Sequence, residues 1–113
     1  MTRKQKRSLP TLSEEQVKPD TALPSPAQAY LNSLSPAGKR TQATALNNLA
    51  YIFSDGKSSD ALTFPWHLLR YENTSGLSAH MMDIGYAKAT VNKHLVALRR
   101  VLEEAFRLGL YTD

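Results

Sequence analysis

From Lys88 to Leu108 the chain places Val91, Leu95, Leu98, Leu102 and Ala105 four and three residues apart. That repeat puts side chains on one stripe of an α-helix. A helix of this length spans about 30 Å, so a chain of 113 residues that contains it has to assemble the rest of its core around that stripe. Lys93, Ala97, Arg100 and Arg107 are expected on the opposite side. Gly109 follows as a natural C-cap, free to adopt the left-handed conformation that ends many helices.

The preceding segments supply shorter helices. Ser25-Pro26-Ala27-Gln28 reads as an N-cap serine, a proline at the first helical position and a glutamine at capping-box distance, with Ala27, Tyr30, Leu31 and Leu34 on one face. Ser35-Pro36 repeats the start signal, and Leu46, Leu49, Ala50 and Phe53 form the buried stripe of a second helix ending near Ser54-Asp55-Gly56. A polar loop, Asp55 to Asp60, leads to the apolar patch Phe64-Pro65-Trp66-His67-Leu68-Leu69, a turn or short helix that plugs the core. A third helix is expected over about Tyr71 to Asp83 with Leu77, Met81 and Ile84 inward, weakened by Gly76, which costs about 1 kcal/mol relative to alanine. No strand alternation is present. The expected fold class is all-α, a compact four-helix bundle over residues 25–113.

Residues 1–24 hold a basic cluster, Arg3-Lys4-Gln5-Lys6-Arg7, and three prolines without apolar periodicity. A mobile tail is expected, since such a segment has no face whose burial offsets the entropy of ordering. Its charges either touch phosphate or stay solvated.

Composition narrows the function classes. Fourteen Lys and Arg against ten Asp and Glu give a net charge of +4, a modest preference for anionic partners. The chain has no cysteine, which removes disulfide frameworks and thiolate zinc sites and fits a reducing cytoplasm. His67, His80 and His94 lack metal-ligand spacing, so no metal or other cofactor is expected. Apolar runs stay short of the ~18 residues of a membrane span, and no secretory signal is recognisable; no membrane partner is expected.

Of the nine basic residues after the tail, seven (Lys39, Arg40, Lys88, Lys93, Arg99, Arg100 and Arg107) fall on the two long helices. Away from its core stripe the second helix carries Lys39, Arg40, Thr41, Thr44, Asn47, Asn48 and Tyr51. Arginine reads guanine, asparagine reads adenine, and threonine offers a short hydroxyl to phosphate. On the fourth helix Lys88, Ala89, Thr90, Lys93, Ala97 and Arg100 combine charge with small residues that permit close approach to a groove, whereas Glu103 and Glu104 repel phosphate. The same patterns also describe ordinary solvated faces.

Three of these stretches resemble the core-binding domain of tyrosine recombinases, the phage-integrase family. Thr-Val-Asn-Lys-His-Leu closing on Arg-Leu-Gly-Leu is similar to its last helix. Ser-Pro-Ala-Gly-Lys-Arg-Thr before Ala-Leu-Asn-Asn-Leu-Ala is similar to its second helix, with Thr41 at the early threonine. Phe-Pro-Trp-His-Leu-Leu is similar to its plug. Over roughly residues 25 to 110, the resemblance implies a SAM-like core-binding fold that clamps duplex DNA together with the catalytic domain of the same parent chain and other recombinase protomers. It implicates Arg40, Thr41 and Thr44 on the second helix and Ala89, Thr90 and Lys93 on the fourth.

The family's chemistry needs a His-x-x-Arg and a tyrosine nucleophile. His67-Leu68-Leu69-Arg70 matches the tetrapeptide but sits inside the plug beside Trp66, and the family keeps its catalytic set in a later domain, which is expected after Asp113. No catalytic residue is therefore expected, and His80 and His94 read as bundle or interface residues. The expected function is DNA binding for site-specific recombination and integration, in a cytoplasmic, DNA-associated setting of bacterial or phage origin. The alternatives are a four-helix protein interaction module and a freestanding DNA-binding regulator, the latter disfavoured because about thirty residues separate the two long helices where a helix-turn-helix allows 3 to 4.

Overall fold

A computed structural model describes residues 9–111, which are helical with turns and loops and contain no strand. The helices are α1 (Pro26–Asn32), α2 (Pro36–Phe53), α3 (Tyr71–Thr74), α4 (Leu77–Asp83) and α5 (Lys88–Arg107), with a 3₁₀ turn over Trp66–Leu68. The start signals act as their chemistry requires. Ser25 Oγ accepts from the Gln28 N–H at 3.1 Å and Ser35 Oγ from the Gly38 N–H at 3.3 Å, each ahead of a proline in the first turn. After Arg107, Gly109 takes φ +75 and terminates α5.

The expected third helix is two. Ser75 and Gly76 interrupt it, leaving α3 and α4 as separate helices; Leu77 and Met81 of α4 are buried in the core, while Ile84 stays 49% exposed. Glycine's freedom in a helix interior makes that break inexpensive.

Trp66 fills the centre of the plug. It is fully buried, its Nε1–H donates to the Ala61 carbonyl at 2.9 Å, and Phe64 meets it edge-on at 4.7 Å between ring centroids. Asn47 Oδ1 accepts from the Ala61 N–H at 2.9 Å, so α2 holds the loop that holds the tryptophan.

The reading of residues 1–24 as a tail without a face to bury is corrected from Leu9 onward. Leu9, Leu12 and Val17 belong to the core. The Leu12 N–H donates to the Phe53 carbonyl at 2.8 Å, supplying a partner to one of the carbonyls that the end of α2 leaves open. Asn73, itself buried, accepts from the Arg70 N–H at 2.8 Å and donates to the Pro10 carbonyl at 2.9 Å. Residues 9–17 thus form a strap fastened by isolated apolar anchors, one backbone bond and the Asn73 amide, which leave no periodic trace in the sequence. The basic cluster Arg3 to Arg7 lies outside the described residues.

A second correction concerns the phase of α5. Its buried residues are Val91, His94, Ala97, Leu98, Val101 and Ala105, so Ala97 faces inward and Leu95 and Leu102 are only partly buried at the edge of the core. At 100° per residue the buried arc is turned by roughly 50° from the stripe through Leu95 and Leu102.

Leu98→Ala is expected to cost about 2 to 5 kcal/mol by denaturant unfolding. Asn73→Ala is expected to cost about 1 kcal/mol by removing two part-buried hydrogen bonds to the Arg70 N–H and the Pro10 carbonyl, and to speed hydrogen exchange of the Leu12 amide as this segment loosens.

Candidate nucleic-acid interface

Lys39, Arg40, Thr41, Thr44 and Asn47 are exposed on α2, and Lys88, Ala89, Lys93 and Arg100 on α5; Asn48 and Thr90 are half-buried. The fold has already engaged several of the neutral groups. Thr41 Oγ1 donates to the Ala37 carbonyl and Thr44 Oγ1 to the Arg40 carbonyl, both at 3.2 Å, so each hydroxyl has to give up that bond before it donates to a phosphate. Asn47 cannot present both amide atoms to an adenine edge while its Oδ1 holds Ala61.

Asn48 is tied to His94. The His94 Nδ1 lies 2.8 Å from the Thr90 carbonyl and its Nε2 lies 3.4 Å from Asn48 Nδ2. The tautomer with its proton on Nδ1 satisfies both, donating to the carbonyl and accepting from the amide. Tyr86 covers the imidazole edge-on at 5.4 Å between ring centroids. His94 is therefore a core histidine joining α2 to α5.

These contacts also fix how the two helices lie. Tyr86, just ahead of α5, lines a shallow groove of about 270 Å³ with Asn48, Tyr51, Ile52 and His80. The entrance of α5 thus stands beside the second half of α2, and Arg40 is twelve residues before Ile52, about 18 Å along the helix axis. The basic clusters Lys39-Arg40 and Lys88/Lys93 sit toward opposite ends of α2, not side by side. Asp55, exposed just past the end of α2, also lines the groove and adds one negative charge to it.

The electrostatics of the helix starts run against local preference. Neither α2 nor α5 has an acidic residue in its first turn, and the N-cap of α5 is Ala87, which supplies no side-chain cap. Instead Lys39 and Arg40 follow closely on the start of α2, and Lys88 opens α5. Helix N-termini carry a partial positive charge and unpaired N–H groups, and cations there are unfavourable by a few tenths of a kcal/mol to about 1 kcal/mol. An anion at either start would relieve that end.

The His-x-x-Arg tetrapeptide serves the plug. Arg70 Nη1 donates to the carbonyls of His67 at 2.7 Å and Leu69 at 3.1 Å, and the guanidinium stacks 5.7 Å from the centre of the Tyr111 ring. Burial, then the nearby Arg70 charge, hold the His67 pKa below the ordinary histidine value, against a smaller opposing pull from Asp20. Burial likewise raises the Tyr111 pKa, with Arg70 opposing it. Among the described residues no cluster of His, Asp or Glu is placed to hold a metal ion, and no helix is long and apolar enough to cross a membrane.

Sequence reasoning did not find the groove at Tyr86 and His80, because its walls come from three separate elements. Compared with protein-family models, curated proteins and solved structures, the chain returned no match.

Because the folded state holds His67 with a lowered pKa, the unfolded chain binds more protons at this site between the folded value and about 6.5. Stability from this group is full above about pH 6.5 and declines as pH falls through that window. His67→Gln is expected to flatten this part of the melting-temperature profile between pH 7 and pH 5, as measured by thermal unfolding.

Proposed function

We propose that the chain is a duplex-DNA-binding module of the core-binding kind found in tyrosine recombinases, with an integrase-type SAM-like fold. In this reading it clamps DNA for recombination or integration beside the catalytic domain of its parent chain and other protomers. It carries no catalytic group of its own, and its setting is cytoplasmic and DNA-associated. The observation that carries the reading is the exposure of Lys39-Arg40 one turn into α2, of Lys88 at the start of α5 and of Lys93 a turn further on, with no carboxylate in either first turn. A departure from a local rule at two places together is the mark of a functional site. Lys39-Arg40 stand near the start of α2 and Lys88/Lys93 beside its second half, so the two clusters can meet phosphates at separate points along a duplex. The resemblance in the second helix, plug and last helix points the same way.

With the amide and hydroxyl groups engaged in the fold, lysine and arginine contacts to phosphate dominate. Affinity for non-specific duplex is then in the range of about 10⁻⁴ to 10⁻⁶ M at physiological salt. Lys93→Ala and Lys88→Ala are each expected to weaken binding nearly equally across DNA sequences and to reduce the salt slope by about 1, measured by fluorescence anisotropy at several salt concentrations. Amide shifts on adding DNA should cluster at Arg40, Lys88 and Lys93. Shifts confined to α4, or binding indifferent to salt, would instead favour a protein interaction module.

A further inference from the structure

The second half of α5 bears a feature that the DNA reading does not use. Leu95, Leu102 and Phe106 form the apolar side of an open groove of about 630 Å³, with Thr74 of α3 on its far wall and Arg99 and Glu103 along its rim. Phe106 is 73% exposed and Val96 46%. Val96, Arg99, Glu103 and Phe106 are spaced three, four and three residues apart, the repeat of a helix-pairing seam. This stripe is unusual in its order of apolar, positive, negative, apolar.

We propose that this seam pairs two copies of the chain through antiparallel α5 helices. A two-fold axis beside Val101 sets Val96 against Phe106 of the second copy and Arg99 against Glu103 of the second copy, and each pairing occurs twice because a two-fold interface is self-complementary. A parallel pairing would instead juxtapose Arg99 with Arg99 and Glu103 with Glu103, so charge selects the antiparallel arrangement. Among the described residues Arg99 has no carboxylate within ion-pair distance, whereas Glu103 has Arg100 at 3.6 Å on the outer side; Arg99 is the cation left for the second copy. The apolar groove through Leu95 and Leu102 runs beside the seam and adds to the surface that a second copy can cover. Lys93 lies about 100° around the helix from the middle of the seam, so the pairing leaves the basic starts of α2 and α5 open and does not depend on the DNA reading.

A few turns of paired helix bury less than the roughly 800 Å² per partner of a standard interface, and association is accordingly weak and concentration-dependent. Sedimentation equilibrium of the full chain without DNA, from micromolar to millimolar concentration, is expected to show a monomer passing into a dimer. Arg99→Glu alone and Glu103→Arg alone should each raise the dimer dissociation constant by at least about tenfold through like-charge contacts. An equimolar mixture of these two single variants should recover dimer as a heterodimer, and the double variant R99E/E103R should recover it alone. Phe106→Glu should remain monomeric while keeping the helical circular dichroism of the parent. A monomer at millimolar concentration, single variants that dimerise like the parent, or a mixture that stays monomeric overturns the proposal.

Discussion

Every strong contact between helical elements, apart from that of α1 with α2, is made by α5. The helix is enclosed by α1, α2, α4 and the tryptophan turn, and its inward residues are mostly small: Val91, Ala97, Val101 and Ala105, with only Leu98 and His94 larger. Small side chains allow neighbouring helix axes to approach closely, and that is what lets four elements share a single helix as their floor. The larger apolar groups come from the surroundings: Leu46, Leu49 and Phe53 from α2, Leu77 and Met81 from α4, and Trp66 from the plug. Volume missing on α5 is supplied by its neighbours, so the core is filled by complementarity between a lean helix and bulky partners.

That division of labour explains what was readable in advance and what was not. Ser25-Pro26, Ser35-Pro36 and Gly109 signal through their own backbone chemistry, and α1, α2 and α5 begin or end where those residues stand. Leu46, Leu49, Phe53, Leu98 and Trp66 are large and apolar and are buried as their spacing requires. The phase of α5 is not legible in the sequence because alanine contributes little to an apolar pattern and histidine contributes against it, yet Ala97 and His94 are among the residues that face α5's partners. Leu95 and Leu102 weigh heavily in the pattern and lie at the edge instead. The strap was illegible for a related reason: Leu12 is held by one backbone bond to Phe53 and Pro10 by the amide of Asn73, sixty-three residues away in sequence, and no local period records a contact of that range.

The same distinction applies to the candidate interface. Residue type suggested a row of base readers on α2, but type does not reveal which hydrogen-bonding groups the fold will consume. Asn47 is used to hold Ala61, Asn48 to hold His94, and the hydroxyls of Thr41 and Thr44 return to their own helix. The lysines and Arg40 have no such internal duty among the described ion pairs. What the sequence did convey correctly is their exposure and their concentration on the two long helices.

This leaves a chemical asymmetry that bears on how such a face would work on DNA. A lysine ammonium is a point charge that meets phosphate well and discriminates bases poorly, while the amides able to discriminate are engaged in the fold. Under the proposed function, α2 and α5 therefore set position and orientation on the duplex, and Arg40 is the one exposed fork on α2 with geometry suited to a base edge. Releasing Asn48 for readout would leave the buried His94 nitrogen without its donor, a cost of about 1 to 3 kcal/mol that is comparable to what one bidentate base contact returns. The two terms nearly cancel, so the fold gains nothing by turning Asn48 outward, and the discrimination required of a site-specific protein would have to come from Arg40, from the shape of the DNA, or from another part of the parent chain.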